Sequence, residues 1–331
     1  MKKLINEIDN VISEMLDGMV AAYPQHVRRL QDLDVLVRAH RSQGKVALIA
    51  GGGSGHEPSH GGFVGKGMLD GAVAGAVFTS PTPDQIYEAI KAVDSGKGVL
   101  LVIKNYTGDL MNFGMAADMA ADDGIKVAQV VVADDVAVKD STWTIGRRGI
   151  AGTVFVHKIA GALAEAGGDL DSVKRVAEKV IANVRSMGMA LNACTVPAAG
   201  KPSFDLAEDE IEIGIGIHGE PGVNREKLSP ANDICDKLLN RILDDGIYAS
   251  GDRVAILING MGGTPLMELF IANKRVHEVL AGKGIVIAKT MVGNYMTSLD
   301  MEGFSITLLK LDSELEELLN APADTPAFVQ A

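Results

Sequence analysis

Short apolar runs and longer mixed segments alternate along the first half of the chain. Val46-Ala47-Leu48-Ile49, Ala72 to Phe78, Val99 to Ile103 and Val127 to Val132 are aliphatic or β-branched stretches of strand length, separated by segments long enough for helices. Such βα alternation predicts a parallel sheet. The helices predicted are Leu4 to Ala21, Asp84 to Ala92, Asp109 to Ala121 and Gly152 to Ala166. Tyr23-Pro24 closes the first, and Pro81 and Pro83 sit where a helix start tolerates a missing N–H.

After the polar turn Gly167-Gly168-Asp169 and a further helix, Ser172 to Ser186, the texture changes. We place a boundary near residues 185–192, giving an N-terminal lobe of residues 1–187 and a C-terminal lobe of residues 188–331. Glu210 to Ile217 alternates isoleucine with Glu or Gly, the pattern of a strand with one buried face, and its turn carries His218. Further strands are predicted at Val254 to Ile258, Ile285 to Ala288 and Phe304 to Leu309, and helices at Asp233 to Asp244, Pro265 to Glu278 and Ser313 to Leu319. The expected fold is a two-lobed α/β protein. Its first sheet is mostly parallel with Gly-rich strand-to-helix loops, and the ligand lies between the loops after residues 50 and 103 and the His218 turn.

Composition narrows the function. The 331 residues include 31 Lys+Arg against 43 Asp+Glu, a net charge of −12, which disfavours nucleic acid and anionic membranes as partners because both are bound through cationic side chains. With 47% hydrophobic and 22% charged residues the chain has the balance of a globular protein with a sizeable core. Cys194 and Cys235 are too few for a disulfide framework and read as buried thiols in a reducing compartment. Acidic residues interrupt the start of the chain where a signal peptide needs an apolar stretch, and apolar runs reach only about five residues against the roughly 20 that span a bilayer. A cytoplasmic protein is expected.

The 38 glycines concentrate just after apolar runs, and three such segments carry chemistry. Gly51-Gly52-Gly53-Ser54-Gly55-His56-Glu57-Pro58 follows a strand, where consecutive glycines let backbone N–H groups approach a ligand. It lacks the P-loop spacing, with His56 where a lysine is needed, and Gly260-Met261-Gly262-Gly263 fails likewise. Lys104-Asn105-Tyr106-Thr107-Gly108-Asp109 also follows a strand. Its lysine can donate hydrogen bonds, and Asp109 can either cap the next helix or point into the crevice. In Ile217-His218-Gly219-Glu220-Pro221-Gly222, glycines open space around an imidazole able to shuttle protons or add to a carbonyl carbon. Neither His56 with His60 nor His218 with Glu220 has a third metal ligand nearby. His26, His40, His157 and His277 read as surface or packing residues.

Together these segments, with Phe78-Thr79-Ser80-Pro81, Arg147-Arg148-Gly149 and Asn259 to Pro265, resemble the substrate-binding subunits of dihydroxyacetone kinases of the phosphotransferase-system-dependent type, over residues 7–328. The resemblance implies that His218 forms a covalent hemiaminal with the ketone carbon of dihydroxyacetone. It places Gly53, Ser54, Gly55, His56, Lys104 and Asp109 around the substrate hydroxyls, with His56 and Asp109 assisting removal of the hydroxyl proton. It further implies a homodimer holding neither nucleotide nor metal. ADP or ATP with Mg²⁺ is expected in a separate nucleotide-binding subunit, rephosphorylated by a phosphocarrier subunit from phosphoenolpyruvate. Relatives using ATP directly carry the nucleotide domain fused at the C-terminus, whereas this chain ends at Ala331, which favours the two-partner form. The main rival is a non-catalytic coactivator of transcription that binds dihydroxyacetone through the same histidine. The presence of both His56 and Asp109 favours catalysis. A dinucleotide-binding dehydrogenase fits poorly, because Pro58 stands where the helix after a Gly-x-Gly-x-x-Gly turn should already be running.

Overall fold

The computed structural model describes residues 2–138, 145–220 and 222–331, so Pro221 of the third segment lies outside the described residues. The first sheet contains β1 (Val27–Arg29), β2 (Val35–Arg38), β3 (Ala47–Ser54), β4 (Gly71–Val77), β5 (Val99–Lys104) and β6 (Val127–Val132), in the spatial order β1-β2-β4-β3-β5-β6. β4, β3, β5 and β6 run parallel, as the alternation predicts. β2 joins β4, and β1 joins β2, antiparallel. This edge was absent from the sequence reading because β1 is Val-Arg-Arg and β2 only four residues, too short and too basic for an apolar run.

Five helices accompany this sheet: α1 (Val11–Ala22), α2 (Pro83–Val93), α3 (Thr107–Asp122), α4 (Thr153–Glu165) and α5 (Leu170–Asn183). The first begins at Val11 rather than Leu4, with a 3₁₀ turn over Ile8–Asn10 before it. On β5, Val99, Leu101 and Ile103 pack with Ile86, Ile90 and Phe113 of α2 and α3, while Leu100 and Val102 face Val156, Ile159 and Val176 of α4 and α5. Both faces of the strand are buried, hence its unbroken apolar run.

The second sheet has the order β11-β10-β12-β7-β8-β9, formed by β7 (Val184–Ala190), β8 (Glu210–Ile213), β9 (Asn224–Lys227), β10 (Arg253–Gly260), β11 (Val286–Gly293) and β12 (Gly303–Leu311). Only β10 and β11 pair in parallel. Ala255, Leu257 and Leu309 of this sheet enter the same core as α4 and α5, and α6 (Ala231–Leu243) and α7 (Leu266–Gly282) cover its other face. α8 (Ser313–Asn320) adds Leu315 and Leu319 to the central core. The architecture is thus α/β/α/β/α, with the middle helices shared by both sheets.

Two sequence expectations change here. The helix expected over Ser172 to Ser186 stops at Asn183, and β7 begins in the second sheet at Val184, running across residue 187. The alternation from Glu210 to Ile217 makes a strand only to Ile213, because Gly214 takes φ +79° and turns the chain. Ile215 and Ile217 remain buried in that turn, packing in place of pleating. Among the described residues no helix is long and apolar enough to cross a membrane.

Candidate active site

β3 and β5 are parallel neighbours, so the loops leaving their carboxyl ends lie side by side, where open α/β sheets place ligands. The His218 turn reaches the same place from the second sheet. The rings of His56 and His218 meet edge to face with centroids 4.8 Å apart, and Tyr106 and Phe78 flank His218 at 4.6 and 5.2 Å. A cavity of about 590 Å³ opens there, lined by Gly53, Thr79, Ser80, Asp109, Asn112 and His218 among others. All three sequence segments therefore contribute to one crevice.

The two imidazoles are held differently. Glu220 Oε1 lies 2.7 Å from His218 Nδ1, and the His218 backbone N–H donates to Oε2 at 2.9 Å. Burial works against the Glu220 charge, but the His218 imidazole and then the Arg148 guanidinium outweigh it and hold the carboxyl at about 2. An ionised carboxylate only accepts, which fixes the proton of a neutral His218 on Nδ1 and leaves the Nε2 lone pair for the cavity. His56 Nδ1 lies 2.8 Å from the Thr297 carbonyl, again an acceptor, so His56 Nε2 also carries a lone pair, and that atom is buried without a hydrogen-bond partner among the described residues. Burial first, then His218 and Lys104, hold the His56 imidazole well below its usual range and keep it neutral.

Behind the glycine loop lies a buried polar chain. Lys104 Nζ donates to the Gly51 carbonyl at 3.2 Å and to His60 Nε2 at 3.0 Å, and stands 3.7 Å from Asp109 Oδ2. Burial lowers the Lys104 pKa against the attraction of Asp109. His60 Nδ1 lies 3.0 Å from His157 Nε2, and burial followed by the nearby Lys104 lowers both imidazoles, His157 to about 3. Gly52 makes this possible, since a Cβ there would stand 2.4 Å from Lys104 Nζ. Asp109 does not cap α3: the cap position is Tyr106, and Asp109 turns its buried carboxylate toward Lys104 instead.

Of the residues singled out in the sequence, Gly53, Asp109 and His218 line the cavity, and His56 adjoins it through His218. The Ser54 hydroxyl donates to the Gly75 carbonyl at 2.7 Å and Gly55 N–H to Glu57 Oε1 at 3.0 Å, while Lys104 sits behind the loop. Sequence reasoning missed the grip of Glu220, although its place two residues after His218 was a usable signal. Phe78 and Tyr106 lay within quoted segments without a role. Thr297, 241 residues from His56, left no signal. Among the described residues no group of three or more His, Cys, Asp or Glu is placed to hold a metal ion.

Comparison with known proteins bears on this site. A sequence model of the Dak1 domain matches residues 17–327. The chain is 55% identical to the dihydroxyacetone-binding subunit DhaK of a PTS-dependent dihydroxyacetone kinase from Listeria innocua, over 99% of this chain and all of that one. Among solved structures, the dihydroxyacetone kinase of C. freundii superposes with a TM-score of 0.90 at 36% identity, covering 99% of this chain and 60% of that one. The dihydroxyacetone kinase operon co-activator Dha-DhaQ superposes with a TM-score of 0.91 at 39% identity, covering 98% of this chain and 99% of that one.

Proposed function

The chain belongs to the Dak1 domain family, and we propose that it is the dihydroxyacetone-binding subunit of a dihydroxyacetone kinase, holding the ketone on His218 while a partner phosphorylates its hydroxyl. The observation that carries this reading is the His218–Glu220 pair at the cavity, with Nδ1 engaged at 2.7 Å and Nε2 left as the nucleophile. The Nε2 lone pair attacks the carbonyl carbon, and the π electrons move to oxygen. As the C–N bond forms, the Nδ1 proton leaves through the hydrogen bond to Glu220, which hands it on to solvent, and the new alkoxide takes a proton from solvent, so the net change is one proton moved from nitrogen to oxygen. The product is a neutral hemiaminal. Its ring nitrogen has no hydrogen left to lose, so water cannot depart to give a neutral imine, and the bond stays reversible. Glycerol has similar hydroxyls but no electrophilic carbon, so a site depending on this bond rejects it.

His56 Nε2 and Asp109 are the acceptors for the hydroxyl proton released on phosphorylation. A positioned base contributes about 10² to 10⁴ in rate. Phosphoryl transfer also needs a donor whose charge is neutralised by metal ions. In this reading ADP/ATP with Mg²⁺ is held by a separate nucleotide-binding subunit, and a phosphocarrier subunit of the phosphotransferase system restores its phosphoryl group, with this chain acting as a cytoplasmic homodimer. The similarity to a subunit of a PTS-dependent enzyme supports that arrangement. Turnover assayed with partner subunits tests it. Asp109→Ala is expected to keep dihydroxyacetone bound and lose at least a hundredfold in rate, and unchanged turnover would contradict its role as base. Binding by the wild type without any turnover would instead favour the coactivator reading, which the similarity to Dha-DhaQ keeps in view.

A further inference from the structure

Arg148 lies in none of the three loop segments, yet its side chain is among the largest fully buried ones. A guanidinium removed from water needs carboxylates or carbonyls around it. Asp135 Oδ2 supplies the first, 2.8 Å from Nε and 2.7 Å from Nη2, and the Gly214 carbonyl accepts from Nη2 at 2.7 Å. Among the described residues Nη1 has no hydrogen-bond partner. It reaches the space beside Gly216, where a Cβ would stand 2.0 Å from Glu220 Oε2 and 2.8 Å from Arg148 Nη1. Guanidinium and carboxylate thus share the volume that any side chain at 216 would occupy.

We propose that Arg148 is a positioning residue for hemiaminal formation: anchored by Asp135 and the Gly214 carbonyl, its guanidinium shares the space beside Gly216 with the Glu220 carboxylate and keeps that carboxylate turned to His218. This rests on the reading of His218 as nucleophile and extends it to a residue that touches neither substrate nor imidazole. The groups facing Glu220 are His218 from the same turn, Arg148 from the segment before α4, Tyr106 from the start of α3 and His56 from the loop after β3. On the far side of Arg148, burial against the pull of the guanidinium raises Asp135 to about 6. Asp134 is turned away, accepting from the backbone N–H groups of Ile150 and Gly152. Among the described residues Arg148 supplies the cationic side chain that acts on Glu220. Its removal takes positive charge from beside the Glu220 carboxylate, so Glu220 should take up its proton, and lose its grip on His218, at a higher pH.

The test is the pH midpoint of the Glu220 δ-carbon in the free protein, followed by NMR from pH 7 to pH 3, with the adduct of carbonyl-¹³C dihydroxyacetone read at each pH in parallel samples. The samples are wild type, Arg148→Lys, and Arg148→Met combined with Asp135→Asn, which leaves no unpaired buried charge. Wild type and Arg148→Lys are expected to titrate Glu220 at similar pH and to keep the adduct at pH 7, and the double variant to titrate it about one unit higher, the low end of what a neighbouring charge does. Equal midpoints in all three, or an equal rise in both variants, would overturn the proposal. A second measurement needs no Arg148 variant to fold: the Glu220 δ-carbon of the wild type, assigned by its loss in Glu220→Gln, should remain ionised at about pH 4.3, where an ordinary glutamate is half protonated. Half-protonation there would also overturn the proposal. Absence of any adduct in wild type at every pH would instead refute the underlying role of His218.

Discussion

Two histidines meet at the crevice with opposite electrostatic support. His218 faces a carboxylate held at about 2, which stabilises positive charge developing on the ring as a bond to carbon forms. His56 faces a neutral carbonyl and is fully buried, which favours a ring that stays uncharged and accepts a proton only in passing. Glu220→Gln removes the charge but keeps the size. The loss of a charge-assisted hydrogen bond, worth about 1.5–3 kcal/mol, should weaken dihydroxyacetone binding roughly 10- to 100-fold in a titration followed by NMR, and unaltered affinity would show that Glu220 is only a packing residue. At this scale the sequence was readable where chemistry and partner share one short segment, as with His218 and Glu220. It was silent where the partner is remote: His60 and His157, 97 residues apart, are joined only by the fold, so His157 read as an ordinary packing residue.

Local elements decide how these side chains are aimed. Gly216 is a glycine because Glu220 Oε2 and Arg148 Nη1 fill its side-chain space. Gly216→Ala displaces the end of a flexible side chain, a small cost to folding, but that end is the carboxylate holding His218. The expected outcome is a single thermal transition near that of wild type with at least a tenfold loss of adduct, measured by calorimetry and NMR; retained adduct would mean that the carboxylate has another productive position. The parallel strands β3 and β5 were legible as apolar runs because both of their faces are buried, and β6 because of its valines, although Val131 is exposed. β7 was not, since Val-Arg-Ser-Met-Gly-Met-Ala has neither strict alternation nor β-branched density and follows a helix without a break. The isoleucine alternation after residue 210 was legible as burial but misleading as strand length, because Gly214 redirects the chain.

The whole molecule brings the crevice together from two sheets that share one layer of helices, so the site depends on the packing of both lobes. That packing has a pH signature. His56, His60 and His157 are buried and held below the usual imidazole range, chiefly by burial, so the unfolded chain binds protons there that the native one does not. Their contribution is fully present above about pH 7 and is lost as pH falls through the unfolded value near 6.5 toward the lower native values. Asp135, raised to about 6, offsets part of this mainly below that pH. Between pH 7.5 and 6 stability should drop by about 2 kcal/mol, read from urea midpoints, and a midpoint independent of pH in that window would contradict the burial of these rings in solution. The central claim is the covalent bond that this assembly allows His218 to make. The most direct measurement is the carbon NMR spectrum of carbonyl-labelled dihydroxyacetone with wild type and with His218→Ala. A protein-bound tetrahedral carbon in the wild type alone is the expected result, the variant controlling for free hydrate. Only free ketone and hydrate in both samples would contradict the account.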